Sequence, residues 1–302
     1  MPEPVRDRWA QWLLERRHGG DAEQQQRNLP FLQNVRNRVL EHAELDEGDI
    51  LLDVGAGDGL IAFGALEWVG ESGAVIFSDI SQDLLDHSRK LAEELDVTER
   101  CSFLRASADD LSELEDGSVD VVTTRSVLIY VEDKRRAFEE FHRVLKPGGR
   151  VSIFEPINSF KMHETRRRFL GYDVEPVREL AEKVWAVYER HQPPDTDPML
   201  NFDERDLFNL AAAGFDEVRL TYEASVKTGS PFNEEPIPWD TLLKTSGNPK
   251  QPPFGEAMEE ALDPDERKLF TDHLRPLVEA GEQRWPVAVA HLKATKSEEE
   301  NS

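Results

Sequence analysis

Between residues 50 and 154 the sequence alternates short apolar runs with longer amphipathic segments, and this alternation limits the fold more than any other feature. The apolar runs, which predict buried strands, lie at 50–54, 74–78, 102–105, 119–124 and 151–154. Helical spacing of apolar residues separates several of them, at 60–69, 82–95 and 134–145. Apolar strands that alternate with helices pair in parallel and are covered on both faces, so the sequence predicts a doubly wound α/β domain.

The segments outside this alternation define the remaining regions. Helical spacing appears at 5–17 and 30–43, and helix-like segments return at 162–172 and 176–191. The predicted regions are an N-terminal helical region at 1–45, an α/β core at 46–155, a helical insertion at 156–200, the remainder of the core at 201–295 with a Pro-rich loop insertion at 229–256, and a disordered tail at 296–302.

Composition narrows the range of partners. The formal charge of -25 repels a phosphate backbone, so we expect no nucleic-acid partner. The sequence has no apolar run long enough for a membrane span and no secretory signal, so we expect a cytoplasmic protein without a membrane partner. One cysteine, Cys101, excludes an internal disulfide and a multi-cysteine metal site; its neighbours predict a buried strand residue, and we expect no metal. A monomer and a homodimer both remain open.

A glycine-rich turn, within "LLDVGAGDGL" at 51–60, joins the first strand to the first helix of the core. Such a turn lets a ligand approach the backbone beside the unpaired N–H groups of a helix start. Gly55, Gly57 and Gly59 form G-x-G-x-G, and Leu60 stands where the dinucleotide fingerprint requires its third glycine. The NAD pattern therefore fails at one position.

Acidic residues surround this turn. Asp53, at the carboxyl end of a buried strand, is costly unless it is paired or hydrogen-bonded, so it either orients the turn or meets a positively charged ligand. Asp58 within the turn would repel a pyrophosphate. Asp79 ends the second strand, where doubly wound folds place an acid that accepts hydrogen bonds from a ribose. These acids favour a cationic or zwitterionic nucleoside.

The segment "ASADDL" follows the third strand. Here Asp109 is placed to receive an adenine amino group, and the small Ala108 leaves room for the ring. The alternative is that Asp109 or Asp110 caps the next helix.

Together, "LLDVGAGDG", "SDIS", "ASADDL" and "VDVVTTRSVLIYVEDKRRAFEEFHRVLKPGGRVSIFEP" resemble successive motifs of class I S-adenosylmethionine-dependent methyltransferases, in particular those that methylate small molecules. The resemblance is close over about 30–155 and loose over 202–226 and 285–294. It implies a Rossmann-like sheet of seven mostly parallel strands with the last strand antiparallel. It also implies that the N-terminal helices form a lid and that S-adenosyl-L-methionine is the cofactor, with S-adenosyl-L-homocysteine as product.

The resemblance also implies roles for individual residues. The residues that would border the methionine part are Asp53, Gly55, Ala56, Gly57 and Gly59. Those that would contact the ribose and adenine are Asp79, Ile80, Ala108 and Asp109, and those that would form the floor of the site at the end of the fourth strand are Arg125 and Ser126.

Methyl transfer is an in-line displacement, so most catalysis can come from holding donor and acceptor collinear, and a general base is optional. If the acceptor is a hydroxyl or an amine, Glu155 is the first candidate base, followed by Tyr130 and His163. The alternatives are that Glu155 begins a turn before Pro156 and that His163 is a surface helix residue.

The two insertions are predicted to form the acceptor pocket, because variable loops at the carboxyl edge of a sheet carry specificity. Their aromatic residues suggest an apolar small molecule, although they would serve equally as the core of a helical subdomain; they are Phe160, Phe169, Tyr172, Trp185, Tyr188, Phe232 and Trp239. We expect a methyltransferase that acts on carbon, oxygen or nitrogen of a small-molecule acceptor. An NAD-dependent oxidoreductase and a non-catalytic S-adenosylmethionine-binding protein are the alternatives.

Overall fold

The computed structural model describes residues 6–163, 167–230, 232 and 235–298. The chain divides into two compact units. We call the first the sheet unit; it comprises Leu32–Ile157, Phe202–Glu223 and Val289–Ser302. We call the second the helical unit; it comprises Met1–Phe31, Asn158–Asn201 and Ala224–Ala288.

A seven-stranded sheet dominates the fold. Its strands are β1 (Ile50–Val54), β2 (Ala74–Asp79), β3 (Cys101–Arg105), β4 (Val119–Arg125), β5 (Leu145–Pro156), β8 (Glu217–Thr228) and β9 (Arg284–Thr295). They lie in the order β3-β2-β1-β4-β5-β9-β8. The pairs β1–β2, β2–β3, β1–β4 and β4–β5 are parallel, whereas β9 runs antiparallel to β5. The predicted doubly wound, seven-stranded and mostly parallel sheet is confirmed.

Ten α-helices accompany the strands in the described part of the chain. They are α1 (Arg8–Gln11), α2 (Ala22–Ala43), α3 (Leu60–Ala65), α4 (Gln82–Glu94), α5 (Lys134–Val144), α6 (Arg178–His191), α7 (Glu204–Ala212), α8 (Trp239–Lys244), α9 (Phe254–Ala261) and α10 (Pro264–Glu279). None of the helices among the described residues combines the length and apolar character needed to cross a membrane.

The central strands form the core of the sheet unit. Leu51, Leu52, Val75, Phe77 and Val121 are all completely buried. Burial of such a side chain contributes about 1.5–3 kcal/mol relative to exposure. These continuous apolar strands are typical of a parallel sheet covered on both faces, and they fix the strand ends at which the candidate site lies.

The N-terminal helices differ from their predicted bounds. Residues 5–17 were expected to form one helix, but α1 ends at Gln11 and a π-helical turn follows at Trp12–Arg16. Helix α2 begins at residue 22 instead of 30, because Asp21 accepts hydrogen bonds from the N–H groups of Glu23 and Gln24, each at 3.0 Å. Pro30, at the predicted start, lies inside α2.

One predicted helix is absent. The helix expected over 162–172 is wrong, because Arg168–Phe169 and Tyr172–Asp173 form a two-stranded hairpin, β6–β7. Leu170 and Gly171 both have positive φ, +50° and +84°, as a two-residue hairpin turn requires. Between Leu111 and Ser118 the described chain forms turns.

Two further expectations fail at the margins of the sheet. Cys101 is only half-buried because β3 is an edge strand. The tail predicted as disordered from 296 is ordered at its start, where Lys296 donates its backbone N–H to the carbonyl of Gly149 at 2.8 Å. Residues 299–302 lie outside the described part.

The helical unit has its own aromatic core. Phe169 lies at its centre, with ring centroids 5.4 Å from Trp185, 6.3 Å from Tyr188 and 5.5 Å from Phe254. Most of the aromatic residues predicted to line an acceptor pocket therefore belong to this cluster; they are Phe169, Tyr172, Trp185, Tyr188 and Trp239. Of the two open interpretations, the structure places them in the core of a helical unit.

Candidate functional site

The glycine turn requires glycine at three positions. Gly55, Gly57 and Gly59 have φ values of +67°, +58° and +82°, a region in which side chains with a Cβ are strained. A Cβ at Gly55 would also collide with the side chain of Val127, and one at Gly59 with the ring of Phe63. The turn is therefore shaped both by backbone conformation and by close neighbours.

Asp79 joins this turn to the end of β2. Its Oδ2 accepts the backbone N–H of Gly57 at 2.9 Å, and its Oδ1 accepts the N–H of Ser81 at 2.9 Å. Ala56 is held as well, because its N–H donates to the carbonyl of Ser78 at 2.9 Å. Asp79 is 7% exposed, and the next residue, Ile80, leaves 43% of its surface exposed. A carboxylate and an exposed apolar side chain thus stand side by side at the carboxyl edge of the sheet.

Asp53 lies in β1, just before the glycine turn. It is 2% exposed; its Oδ2 accepts the N–H of Ala62 at 3.1 Å, and its Oδ1 accepts the hydroxyl of Thr123 at 2.9 Å. Burial raises the pKa of this carboxyl to about 7, since desolvation disfavours the charged form. These contacts tie the start of α3 to β1 and β4, which is the geometry expected of a residue that orients the turn.

Glu155 is completely buried at the end of β5. Its Oε1 accepts the N–H groups of Val127 at 2.8 Å and Leu128 at 2.9 Å, and its Oε2 accepts that of Ile129 at 3.3 Å. The hydroxyl of Thr124 is 3.4 Å from Oε1. Burial is the main cause that raises the pKa of Glu155 to about 7. The Glu155 carboxylate thus fixes residues 127–129 after β4, and these residues in turn enclose the carboxylate.

The end of β4 and the segment that follows it contain three of the predicted site residues. Arg125 ends β4, and Ser126 has a positive φ of +58° with its N–H donating to the carbonyl of Phe154 at 2.8 Å. Tyr130 ends a short 3-10 turn and is partly exposed. His163 ends another 3-10 turn, and its side chain lies outside the described residues.

The loop after β3 brings its residues to the same edge. The N–H of Ala106 donates to the carbonyl of Asp79 at 3.1 Å, which ties the start of the loop to the end of β2. Ala108 is 4% exposed, and the hydroxyl of Ser107 donates to Oδ1 of Asp109. Because no helix follows, the interpretation of Asp109 or Asp110 as a helix cap is wrong.

Three contributors to the site were missed by sequence reasoning. Thr123 and Thr124 hold the two buried carboxylates, and a pair of adjacent threonines in an otherwise apolar strand was the available signal. Arg143 binds carbonyl groups of the loop after β3, but a basic residue in the last turn of a helix usually indicates only a favourable charge there. Within the described residues there is no cluster of three side chains able to hold a metal ion.

One buried acceptor in the glycine turn has no protein partner. Oδ1 of Asp58 is buried and receives no hydrogen bond, which costs about 1–3 kcal/mol if it stays unsatisfied. The turn thus combines close backbone access, an unsatisfied carboxylate oxygen and, at Asp79, a second carboxylate. This arrangement suits a ligand with hydroxyl groups and a positive charge.

Comparison with known proteins agrees with this geometry. Residues 52–153 match a family model described as a methyltransferase domain. The ubiquinone/menaquinone biosynthesis C-methyltransferase UbiE of Escherichia coli is 28% identical over 184 residues, which cover 55% of this chain and 70% of that protein.

Solved structures show the same fold. The YcgJ protein of Bacillus subtilis superimposes with a TM-score of 0.53 at 16% identity, covering 88% of this chain and 99% of that one. The phosphoethanolamine N-methyltransferase 2 of Haemonchus contortus, solved with phosphomonomethylethanolamine and S-adenosylhomocysteine, superimposes with a TM-score of 0.50 at 17% identity. That match covers 87% of this chain and 52% of the other.

Proposed function

We propose that this chain, which belongs to the class I S-adenosylmethionine-dependent methyltransferases, moves a methyl group to a small-molecule acceptor at the carboxyl edge of its sheet. The observation that carries the proposal is the junction of the glycine turn with Asp79, in which Gly57 donates to the carboxylate at 2.9 Å. The methyltransferase family match covers this junction, so the NAD-dependent alternative has no remaining support.

The residues present fit S-adenosylmethionine, which supplies an electrophilic methyl group on a sulfonium when bound. Asp79 accepts two backbone N–H groups at the end of β2, one from the glycine turn and one from Ser81. The ribose hydroxyls would bind beside this carboxylate. Ile80 leaves 43% of its surface exposed and would offer this apolar surface to a purine ring, and Ala108 with Asp109 would border the edge of that ring.

The methionine part would lie along the glycine turn. Asp53, Gly55, Ala56, Gly57 and Gly59 form its backbone boundary, and the unpartnered Oδ1 of Asp58 can accept an ammonium N–H. Arg125 and Ser126 form the floor on the β4 side. An acidic turn suits a cationic ligand because the charges attract, whereas it would repel a pyrophosphate.

Glu155 serves this site as a positioning residue. Three N–H groups and the Thr124 hydroxyl surround its carboxylate, so no lone pair is left to take a proton from an acceptor. Its contacts fix residues 127–129 and thereby the 3-10 turn that ends at Tyr130. If the acceptor loses a proton, we propose Tyr130 as the group that removes it, with His163 as the second candidate. In-line transfer otherwise needs only orientation.

The acceptor is proposed to be a small organic molecule. The relatives' names support this, since one is a C-methyltransferase of quinone biosynthesis and another was solved with phosphomonomethylethanolamine. The net charge of -25 opposes a nucleic-acid substrate. We place the enzyme in the cytoplasm, which supplies S-adenosylmethionine.

Calorimetry with S-adenosylhomocysteine and, separately, with NAD⁺ tests the cofactor. We expect saturable binding of the first and none of the second. Incubation with methyl-labelled S-adenosylmethionine and fractionated small metabolites then tests transfer. Binding without transfer to any fraction would favour a non-catalytic binding protein, and absence of S-adenosylhomocysteine binding would overturn the proposal.

A further inference from the structure

The loop between β3 and β4, residues 106–118, is held in place by an arginine of α5. Resting on the proposed function, we infer that Arg143 is a positioning residue that presents Ala108 and Asp109 to the cofactor base, and that adenine selectivity depends on it. The geometry of three groups carries this inference: the guanidinium of Arg143, the carboxylate of Glu140 and the loop backbone.

All five N–H donors of Arg143 are used. Its Nη1 lies 2.8 Å from the carbonyl oxygen of Leu114 and 2.7 Å from Oδ1 of Asp116. Its Nη2 lies 2.9 Å from the carbonyl oxygen of Leu111 and 2.8 Å from Oε2 of Glu140, and its Nε lies 3.1 Å from Oε1 of Glu140. A lysine has three donors on one atom and cannot make this planar set of contacts.

Glu140 connects the arginine to the loop a second time. It is 1% exposed, and its Oε2 accepts the N–H of Leu111 at 2.9 Å. Arg136 also reaches Oε1 of Glu140, at 2.8 Å, but from the solvent side with about half of its side chain exposed. Leu111 is therefore held through both its N–H and its carbonyl, and its own side chain is completely buried.

These contacts hold a segment that forms no helix. From Leu111 to Ser118 the described chain forms turns, and the N–H of Leu114 donates to the carbonyl of Leu111 at 2.9 Å. Arg143 adds a second donor to the carbonyl of Leu111 and donates to the carbonyl of Leu114, so it joins both ends of this turn to α5. Without the guanidinium this half of the loop loses its fixed conformation.

The other half of the loop lies at the cofactor edge. Ala106 is bonded to the carbonyl of Asp79, the N–H of Asp110 donates to the carbonyl of Ser107 at 3.1 Å, and Ser107 bonds to Oδ1 of Asp109. Asp109 is thus fixed at one end by β2 and, through Asp110 and Leu111, at the other end by Arg143. A shift of Leu111 would move the Asp109 carboxylate, which the proposed function places against the adenine amino group.

The test compares S-adenosylhomocysteine with S-inosylhomocysteine, whose base carries a carbonyl oxygen at C6 in place of the amino group and a hydrogen on N1. A carboxylate aligned with the C6 substituent accepts a hydrogen bond from the amino group and is repelled by the carbonyl oxygen. Their dissociation constants are measured by calorimetry for the wild-type chain, for Arg143→Lys and for the control Arg136→Lys. Arg136→Lys makes the same substitution at a second arginine that contacts Glu140, but it leaves the hydrogen bonds from Arg143 to the loop carbonyls in place. Hydrogen exchange over residues 106–118 is followed in each protein.

We expect the wild type and Arg136→Lys to bind the adenine ligand at least tenfold more tightly than the inosine ligand. In Arg143→Lys we expect that ratio to fall about tenfold, mainly through weaker adenine binding, with faster exchange confined to residues 106–118. Equal weakening of both ligands, or an unchanged ratio, would overturn the inference. If Arg143→Lys unfolds, Glu140→Gln is measured instead with the same expected fall. Failure of the wild type to bind either ligand would instead overturn the proposed function.

Discussion

Gly57 donates its backbone N–H to Oδ2 of Asp79 over 2.9 Å, so the turn after β1 and the end of β2 form one hydrogen-bonded unit. The two residues are brought together because β1 and β2 are parallel neighbours whose carboxyl ends meet at one edge. Asp79 consequently stabilises the turn, and in the proposed function the same carboxylate lies beside the ribose. Loss of the carboxylate should affect both.

Replacement of that acid should therefore weaken cofactor binding. We expect Asp79→Ala to reduce the affinity for S-adenosylhomocysteine by ~1.5 kcal/mol or more, since hydrogen bonds to a charged acceptor are lost. Calorimetry measures the effect. A matched control is Asp133→Ala, which removes a carboxylate that caps α5 by accepting the N–H of Arg136 at 2.9 Å. The control should lose stability but keep affinity, and unchanged affinity in Asp79→Ala would remove Asp79 from the site.

Gly55 should not tolerate a side chain. We expect Gly55→Ala to destabilise the fold by roughly 2–4 kcal/mol, because a Cβ both strains the positive φ and collides with Val127. Gly20 provides the control, since its φ is +69° and a Cβ there meets nothing within 4 Å. Gly20→Ala should cost only the ~1–2 kcal/mol of backbone strain. Urea denaturation of both variants gives the comparison, and equal losses would refute a steric contribution from Val127.

Glu155→Gln should lower turnover and leave cofactor affinity intact. The amide places an NH₂ group against backbone N–H donors, so residues 127–129 must shift, and misplacement of this size can reduce the rate by ~10-fold or more. Turnover and the dissociation constant of S-adenosylhomocysteine are measured together. Glu132→Gln, an exposed change on the same segment, is the control. Equal turnover in Glu155→Gln and the wild type would contradict the positioning role.

Stability should depend on pH through Asp53. Its pKa is raised to about 7 by burial, whereas an unfolded chain gives a value near 3.8. An acid with a raised pKa contributes stability that is fully present below the unfolded pKa and is lost as pH rises through the folded pKa.

The advantage of the wild type over Asp53→Asn should therefore shrink between pH ~4 and ~7, by about 4 kcal/mol at most. Asparagine suits the site because its oxygen can accept the N–H of Ala62 while its NH₂ group donates to the Thr123 hydroxyl. Urea denaturation at a series of pH values measures the difference. Parallel stability curves for the two proteins would show that Asp53 is ionised in the folded state throughout this range.

Sequence reasoning succeeded where a pattern is local and repeated. The apolar strands from Ile50 to Phe154, the glycine turn and the antiparallel β9 all follow from periodicity, turn chemistry and the family resemblance, and the sheet confirms them. The sequence also predicts which residues lie together at the strand ends, because parallel strands bring their carboxyl ends to one edge of the sheet.

It failed where a distant contact decides the local conformation. The hairpin at Arg168–Asp173 depends on Gly171, whose missing Cβ lets it lie against Trp285 more than a hundred residues away. The loop after β3 depends on Arg143 from α5 instead of on its own helix propensity. The position of Glu155 at the end of β5 makes it a candidate base, whereas its contacts with residues 127–129, which favour a positioning role, come from a segment distant in sequence.

The sheet order also constrains how the protein is made. β9 follows β8 in the sequence, yet it lies between β5 and β8. During synthesis on the ribosome, β8 therefore emerges before the strand that will join it to the rest of the sheet. Until residues 284–295 have left the exit tunnel, β5 has an open edge and β8 has no neighbour, which makes this interval the one in which a chaperone has most to protect.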